Sequence, residues 1–405
     1  MPEPYFFFRP LLAPDHSWAA LDWQAQSLQG TDPSAFIRCF SDSETAPLAD
    51  ILPLVAPINA DYLQQKDFLK AFEATPVVFV LPESCLQDGQ VIAQCQAWRD
   101  HAKPLALQID HVDILRKIPL AAFNAIRFDA AFSRQEFSAL DLIYLSDPAF
   151  RKIATNVDSY EMAGWLAGKG IEWSDSHFLT SPNPALGKEP DLTRLKLLKL
   201  LNLVKQDGDT REIEAIFREE AKLSYNLLRL VNSVAVGART KISNFSQAIA
   251  ILGRRQLQRW LQLLIYANNL ADGNAPNPLM QLAAARGRQM ELLAATIEPI
   301  PDIPELSDNA FMTGLFSLLG VLINLPISEI LKELPLQDEV VDALSNPGDD
   351  GVLGHLLAAI TAGESGDFAH AAKVLAGLGI SPAVHAKSQV SAYYWASRIN
   401  IDNHD

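Results

Sequence analysis

Short, strongly apolar runs separated by helix-length stretches constrain the first part of this chain more than any other feature. The runs are Phe36–Phe40, Val77–Leu81, Leu105–Ile109, Ala125–Asp129, Leu142–Leu145, Ile153–Val157 and Ile171–Trp173, most of them bounded by polar or turn residues. The segments between them hold a helix each, as over Asp61–Glu73 and Asp88–His101. Strands alternating with helices imply parallel βαβ units. Strands apolar on both faces fit an α/β barrel, and in such barrels chemistry sits at the C-terminal strand ends.

The rhythm stops at Ser181-Pro-Asn-Pro-Ala-Leu-Gly-Lys-Glu-Pro190, whose prolines and glycine prevent a regular element. A domain boundary is expected here, between 1–184 and 185–405. Beyond it the spacing is helical. Asp209-Thr-Arg-Glu212 reads as a helix start with a carboxylate three residues on. Apolar stripes follow at Leu223, Leu227, Leu230 and Val231, and at Leu257, Trp260, Leu261, Leu264 and Ile265. Further helices are expected over Leu279–Leu293, Ala310–Ile323, Ile327–Leu334, Asp338–Leu344, Leu353–Thr361, Phe368–Leu375 and Pro382–Trp395, with no strand after Pro190. The expected fold is α/β followed by all-α.

Composition narrows the function classes. The chain is 49% apolar and 20% charged over 405 residues, enough for two cores. A net charge of -15 disfavours general nucleic-acid binding and attachment to anionic lipid. Three cysteines, Cys39, Cys85 and Cys95, make no disulfide framework, and Cys39 and Cys85 read as small buried hydrophobes. There is no basic region ahead of Tyr5–Phe8 and no long apolar run, so a cytoplasmic protein without a membrane span is expected.

Two stretches carry a family resemblance. Leu223-Ser-Tyr-Asn-Leu-Leu-Arg-Leu-Val-Asn-Ser233, Lys241-Ile-Ser, Gln247-Ala-Ile-Ala-Ile-Leu-Gly253 and Leu257-Gln-Arg-Trp260 resemble the HDOD family in order and spacing. Pro57-Ile-Asn-Ala60, Phe79-Val-Leu-Pro-Glu-Ser84, Leu105-Ala-Leu-Gln-Ile-Asp110, Ala125-Ile-Arg-Phe-Asp129 and Phe178–Pro182 resemble successive strand ends of an EAL domain. EAL followed by HDOD is a known arrangement. The resemblance implies a degenerate EAL-type (β/α) barrel and an all-helical HDOD domain related to HD phosphohydrolases.

EAL phosphodiesterases cleave cyclic di-GMP, which implies two metal ions held by carboxylates and an Asn at strand ends. Hard cations need several oxygen ligands with carboxylate charge. Matched to the family, the signature Glu falls at Asp22, the following Arg at Gln26, and the Asn ligand survives as Asn59. The next Glu becomes Val80, the Asp pair becomes Gln108 and Ile109, and the Lys becomes Arg127. The last Glu becomes Thr155 and the late Gln becomes Ser174. A shift of one residue would bring Asp110 to the Asp-pair position without restoring the charge. Asp22, Asn59 and Arg127 are thus vestigial positions, and no catalytic residue, metal or cofactor is expected. Asn59, Glu83 and Asp129 read instead as polar strand ends that cap neighbouring loops, and Asp110, His111 and Asp113 as a polar loop rather than a ligand trio.

In the second half, Ser317 and Leu318 take the places of the His-Asp pair of an HD site, and no histidine occurs between His177 and His355. An HD-type metal site is excluded. His355, His370 and His385 lack the spacing of a helical metal pair and read as surface or structural residues. Asn232 and Ser233, inside the HDOD match with Arg229, read as helix-end hydrogen-bonding residues. Arg254, Arg255 and Arg259 with Trp260 form a basic cluster, read as either a solvated helix face or a docking surface for an acidic protein partner. The expected function is a non-catalytic signalling adaptor that works through protein partners. Two alternatives stay open: an inactive cyclic di-GMP receptor and a residual phosphodiesterase.

Overall fold

The computed structural model describes residues 3–27, 29, 31–101, 103–145, 150–183, 278–332, 334, 336–349 and 351–399, with isolated helical positions at 197, 198, 200, 201, 258, 259 and 261–263. Contacts divide the chain into two compact units, 1–181 with 359–390, and 182–358 with 391–405.

The first unit contains a closed eight-stranded barrel in sequential order. Its strands are β1 (Phe6–Leu12), β2 (Trp18–Ala25), β3 (Leu54–Pro57), β4 (Val77–Leu81), β5 (Leu105–Ile109), β6 (Ala125–Asp129), β7 (Arg151–Thr155) and β8 (Trp173–Asp175). β1 runs antiparallel to both β2 and β8, and every other pairing is parallel. The barrel core is a cluster of Leu11, Ala20, Val55, Val78, Val80, Ala106, Ala125, Ile153 and Trp173. Side chains alternate between faces along a strand. Arg9, Asp22, Gln108, Arg127, Thr155 and Asp175 therefore share the inward face with that cluster. The opposite faces meet the outer helices through aromatic rings. Trp23 lies 5.4 Å from Phe6 and 5.2 Å from Phe36 of α1 (Pro33–Asp42). Phe79 lies 5.1 Å from Phe68 of α3 (Lys66–Ala71), which follows α2 (Ala46–Ile51). α4 (Gly89–Asp100), α5 (Ala130–Glu136), α6 (Ala139–Tyr144) and α7 (Tyr160–Gly168) complete the outer elements.

Two expected strands are helices. Phe36–Phe40 lies in α1, where Phe36 and Phe40 are buried one helical turn apart behind the N-cap Asp32 and Pro33. Leu142–Leu145 overlaps α6, which Ser138 and Asp141 open with a capping box. β1, β2 and β3 fill the missing places. The expected helix over Asp88–His101 is α4, whose cap Asp88 accepts from Gln90 N and Val91 N.

Numbered through the described residues, the helices that follow are α8 (Pro278–Ala294), α9 (Leu306–Phe316), α10 (Leu319–Ile323), α11 (Ile327–Leu331), α12 (Asp338–Ser345), α13 (Val352–Ser365), α14 (Phe368–Gly377) and α15 (Pro382–Ser397). They follow the expected late helices, except that the one expected over Ala310–Ile323 is divided into α9 and α10 at Ser317 and Leu318 and the one over Ile327–Leu334 ends at Leu331; no strand occurs after Pro190 among the described residues. In the second unit α8 and α9 cross at two glycines. A Cβ on Gly314 would lie 2.7 Å from the Gly287 Cα, so the backbones touch. Leu306–Ile323 is long and apolar enough to cross a membrane by composition, but 72% of it is buried inside the protein. The segment 359–390, expected with the helical half, packs in the same unit as the barrel.

Candidate functional site

The inward face places one carboxylate at the barrel axis. Asp22 on β2 is 1% exposed. Its Oδ2 accepts hydrogen bonds from Arg9 Nη2 at 2.7 Å, Arg127 Nη2 at 3.1 Å and Gln24 Nε2 at 2.5 Å. β2 and β6 are opposite one another in the strand order, so the Arg127–Asp22 bond spans the interior. Burial drives the Asp22 pKa up, but Arg127, Arg9 and the hydrogen bonds from Arg9 and Gln24 together outweigh it, and the carboxyl sits below its ordinary range. Its Oδ1 has no hydrogen-bond partner among the described residues.

Asp175, at the end of β8, is the second buried inward acid. It accepts from Val157 N at 3.0 Å and from Asn156 N. Burial raises its pKa, against the pull of Arg9 and of backbone donors. Ser174, the expected counterpart of the late Gln, lies on the opposite face of β8. Val80 belongs to the apolar core, Ile109 is 1% exposed, and Thr155 donates to Phe128 O.

These residues do not fit a pair of divalent cations. One acid is wrapped by two guanidinium groups, and the other caps a strand-end turn. The described residues contain no cluster of three or more His, Cys, Asp or Glu with metal-binding geometry. Of the expected vestigial residues, Asp22 and Arg127 are joined directly. Asn59 stands after β3, half-buried and hydrogen-bonded to Tyr62.

The polar strand ends behave as loop caps. Glu83 Oε2 accepts from the backbone N–H groups of Asp110 at 2.9 Å and His111 at 3.2 Å, and Oε1 pairs with His111 Nδ1. Asp129 accepts from Phe132 N at 2.9 Å and from Asn156 Nδ2 at 2.8 Å. Asp110 also accepts from Gln108 Nε2, so Asp110 and His111 make a hydrogen-bonded loop. Cys85 and Cys95 are buried and Cys39 half-buried; desolvation raises the thiols of Cys39 and Cys95 to about 12 and that of Cys85 to about 11, which disfavours the nucleophilic thiolate.

In the helical unit, the place expected for a His-Asp pair holds another buried guanidinium. Arg286 of α8 is 4% exposed and donates to Ser317 Oγ at 2.6 Å, while Leu318 is buried. A hydroxyl, a leucine and a cation do not fit a metal either. Arg259 bonds Glu291 and, at 2.8 Å, Asp308, and lies 5.1 Å over the Phe311 ring. Its guanidinium is engaged by internal acids and does not extend a solvated basic face. Arg229, Asn232, Ser233, Arg254, Arg255 and Trp260 lie outside the described residues. His355 is half-buried and His370 exposed, but His385 is buried at 1%.

Sequence reasoning missed Arg9, Gln24 and Asp175. Arg9 carried a usable signal, because a lone cation within Phe6-Phe7-Phe8-Arg9-Pro10-Leu11-Leu12 needs an internal partner.

The HDOD domain family matches residues 192–334. The chain is similar to the cyclic di-GMP phosphodiesterase CdgJ of Vibrio cholerae, at 25% identity over 378 residues, 92% of this chain and 81% of that one. It is also similar to the uncharacterized protein YuxH of Bacillus subtilis, at 26% identity over 245 residues, 60% of this chain; the match spans 56% of YuxH. Among solved structures, the EAL domain of Mycobacterium smegmatis DcpA overlaps 42% of this chain and 87% of its own, at 11% identity and a TM-score of 0.34.

Proposed function

This chain is a two-domain protein that joins an EAL-type barrel to an HDOD domain, and from that premise we propose that it is a non-catalytic component of cyclic di-GMP signalling that acts through protein partners. The observation that carries the reading is the Arg9–Asp22–Arg127 cluster. In-line hydrolysis of a phosphodiester needs a water activated by cations. Here positive charge is already covalently present, as two guanidinium groups that can neither coordinate water as a Lewis acid nor take its proton at neutral pH. The domain division at 184/185 belongs to this proposal. So does a partner surface at Arg254, Arg255 and Trp260, the basic cluster to which Arg259 belongs in sequence.

The test is hydrolysis of cyclic di-GMP by the full-length protein in Mg²⁺ or Mn²⁺. No turnover above buffer is expected. Turnover that disappears in Asn59→Ala would overturn the reading.

A second reading is favoured by the same cluster: two inward-facing cations in the barrel interior, sharing one carboxylate, suit an anionic ligand held without cleavage. A cyclic di-GMP receptor is therefore the alternative to a purely protein-binding role.

A further inference from the structure

The inward face of β1 continues past the level of Asp22. Arg9 pairs in register with Asp22 and Phe7 with Gln24, so Phe7 stands one step nearer the C-terminal end of β2. That end is the barrel mouth. Only Leu11 and Leu12 of β1 pair with β8, so Phe6–Pro10 has no strand on that side. The helical segment 359–390 takes the vacant place. His385 and Gln389, one turn apart on α15, hydrogen-bond the backbone of Phe6 and the N–H of Phe8, the latter at 3.1 Å. Tyr5 donates its hydroxyl to Ile380 O at 2.5 Å.

Above this edge, Phe368 lies stacked on Phe7, with centroids 4.9 Å apart and planes at 14°. The Arg9 guanidinium sits 5.5 Å from the same ring. Two glycines permit the approach. A Cβ on Gly363 would meet Phe7 Cδ1 at 2.9 Å, and one on Gly366 would meet Arg9 Nη1 at 3.1 Å. An aromatic ring stacked on a phenyl face, with a guanidinium close by, is how proteins hold a splayed nucleobase.

We propose that Phe7 and Arg9 form a nucleobase-binding subsite at the barrel mouth, and that Phe368 occupies it as an internal substitute ligand. The inference rests on the receptor reading above and adds its control: a cyclic dinucleotide enters only when 359–390 leaves β1. Arg9 is common to both states, since the ion pair that fills the barrel axis also carries the ring. Docking of 359–390 thereby shuts the subsite and fixes the charge cluster together.

The test is calorimetric titration of cyclic di-GMP into the full-length protein, wild type against Phe368→Ala. Gly363→Ala serves as a second variant that loosens the contact without removing the ring, and near-ultraviolet circular dichroism verifies folding. The proposal expects affinity to rise at least tenfold in Phe368→Ala and to rise, by less, in Gly363→Ala. It also expects Phe7→Ala in the Phe368→Ala background to abolish the gain. Equal affinity in wild type and both variants would overturn it, as would absence of binding to all of them. Because binding is read and not turnover, the result is separable from the hydrolysis assay that tests the absence of catalysis.

Discussion

Gln389 Oε1 accepts the backbone N–H of Phe8 at 3.1 Å, so a helix side chain satisfies the edge of a barrel strand. An exposed edge invites pairing with another chain. Here α15 blunts it with side chains spaced by one helical turn. Replacing Gln389 by Ala removes this buried hydrogen bond, at a cost of about 1–3 kcal/mol. A lower urea midpoint at unchanged slope is expected. No change in midpoint would mean that water or another group takes over the bond.

Asp22 gives a sharper expectation. Removing one partner of a buried ion network leaves uncompensated charge, and Asp22→Ala should cost about 3–5 kcal/mol. The triple change Arg9→Met, Asp22→Leu, Arg127→Met removes the charges together and should recover most of that loss. Denaturant titration of both proteins checks this. A triple variant as unstable as Asp22→Ala would show that packing, and not unpaired charge, is at stake.

Most of the architecture was legible in the sequence because β4 to β7 are short apolar runs with unambiguous flanks. The errors cluster where local chemistry outranks apolar content. Phe36-Ile-Arg-Cys-Phe40 looks like a strand until Asp32 and Pro33 are read as a helix start, and Ser138 with Asp141 sends the same message for α6. The site was legible at Asp22 and Arg127 because the resemblance supplied their strand positions. Arg9 and Phe368 were not, since they meet through a contact between residues far apart in the chain, and no local pattern encodes it.

His385 makes the docked segment sensitive to acid. Burial depresses its pKa from 6.5 to about 4, partly opposed by the hydrogen bond with Phe6. The unfolded chain thus binds a proton that the folded one refuses, and stability is lost as pH falls from 6.5 towards 4. The full effect near pH 4 is about 3 kcal/mol. Asp22, whose pKa is depressed, adds a loss only below its ordinary range, as pH falls under about 4. Melting temperatures measured between pH 7 and pH 4.5 should fall less steeply in His385→Gln than in wild type. Parallel curves would remove His385 from the account.

Two glycines should respond to alanine in opposite directions. Gly164 lies within α7, exposed, and a Cβ there meets nothing within 4 Å. Helix interiors favour Ala over Gly by roughly 0.5–1 kcal/mol, so Gly164→Ala should stabilise the barrel unit. At Gly314 the added Cβ falls 2.7 Å from Gly287 Cα, 2.8 Å from its N and 2.9 Å from the Arg286 carbonyl carbon, all of them backbone atoms. Backbone cannot turn aside as a flexible side chain can, so α8 and α9 must separate, at a cost of about 1–3 kcal/mol or more. That separation would also stretch the 2.6 Å bond between Arg286 and Ser317, which spans the same pair of helices. Amide exchange resolved by residue distinguishes the two effects. Gly314→Ala should raise exchange along Pro278–Phe316 and leave β4 to β6 protected, and Gly164→Ala should slow exchange in α7. Unchanged protection of α8 and α9 in Gly314→Ala would refute the close backbone crossing.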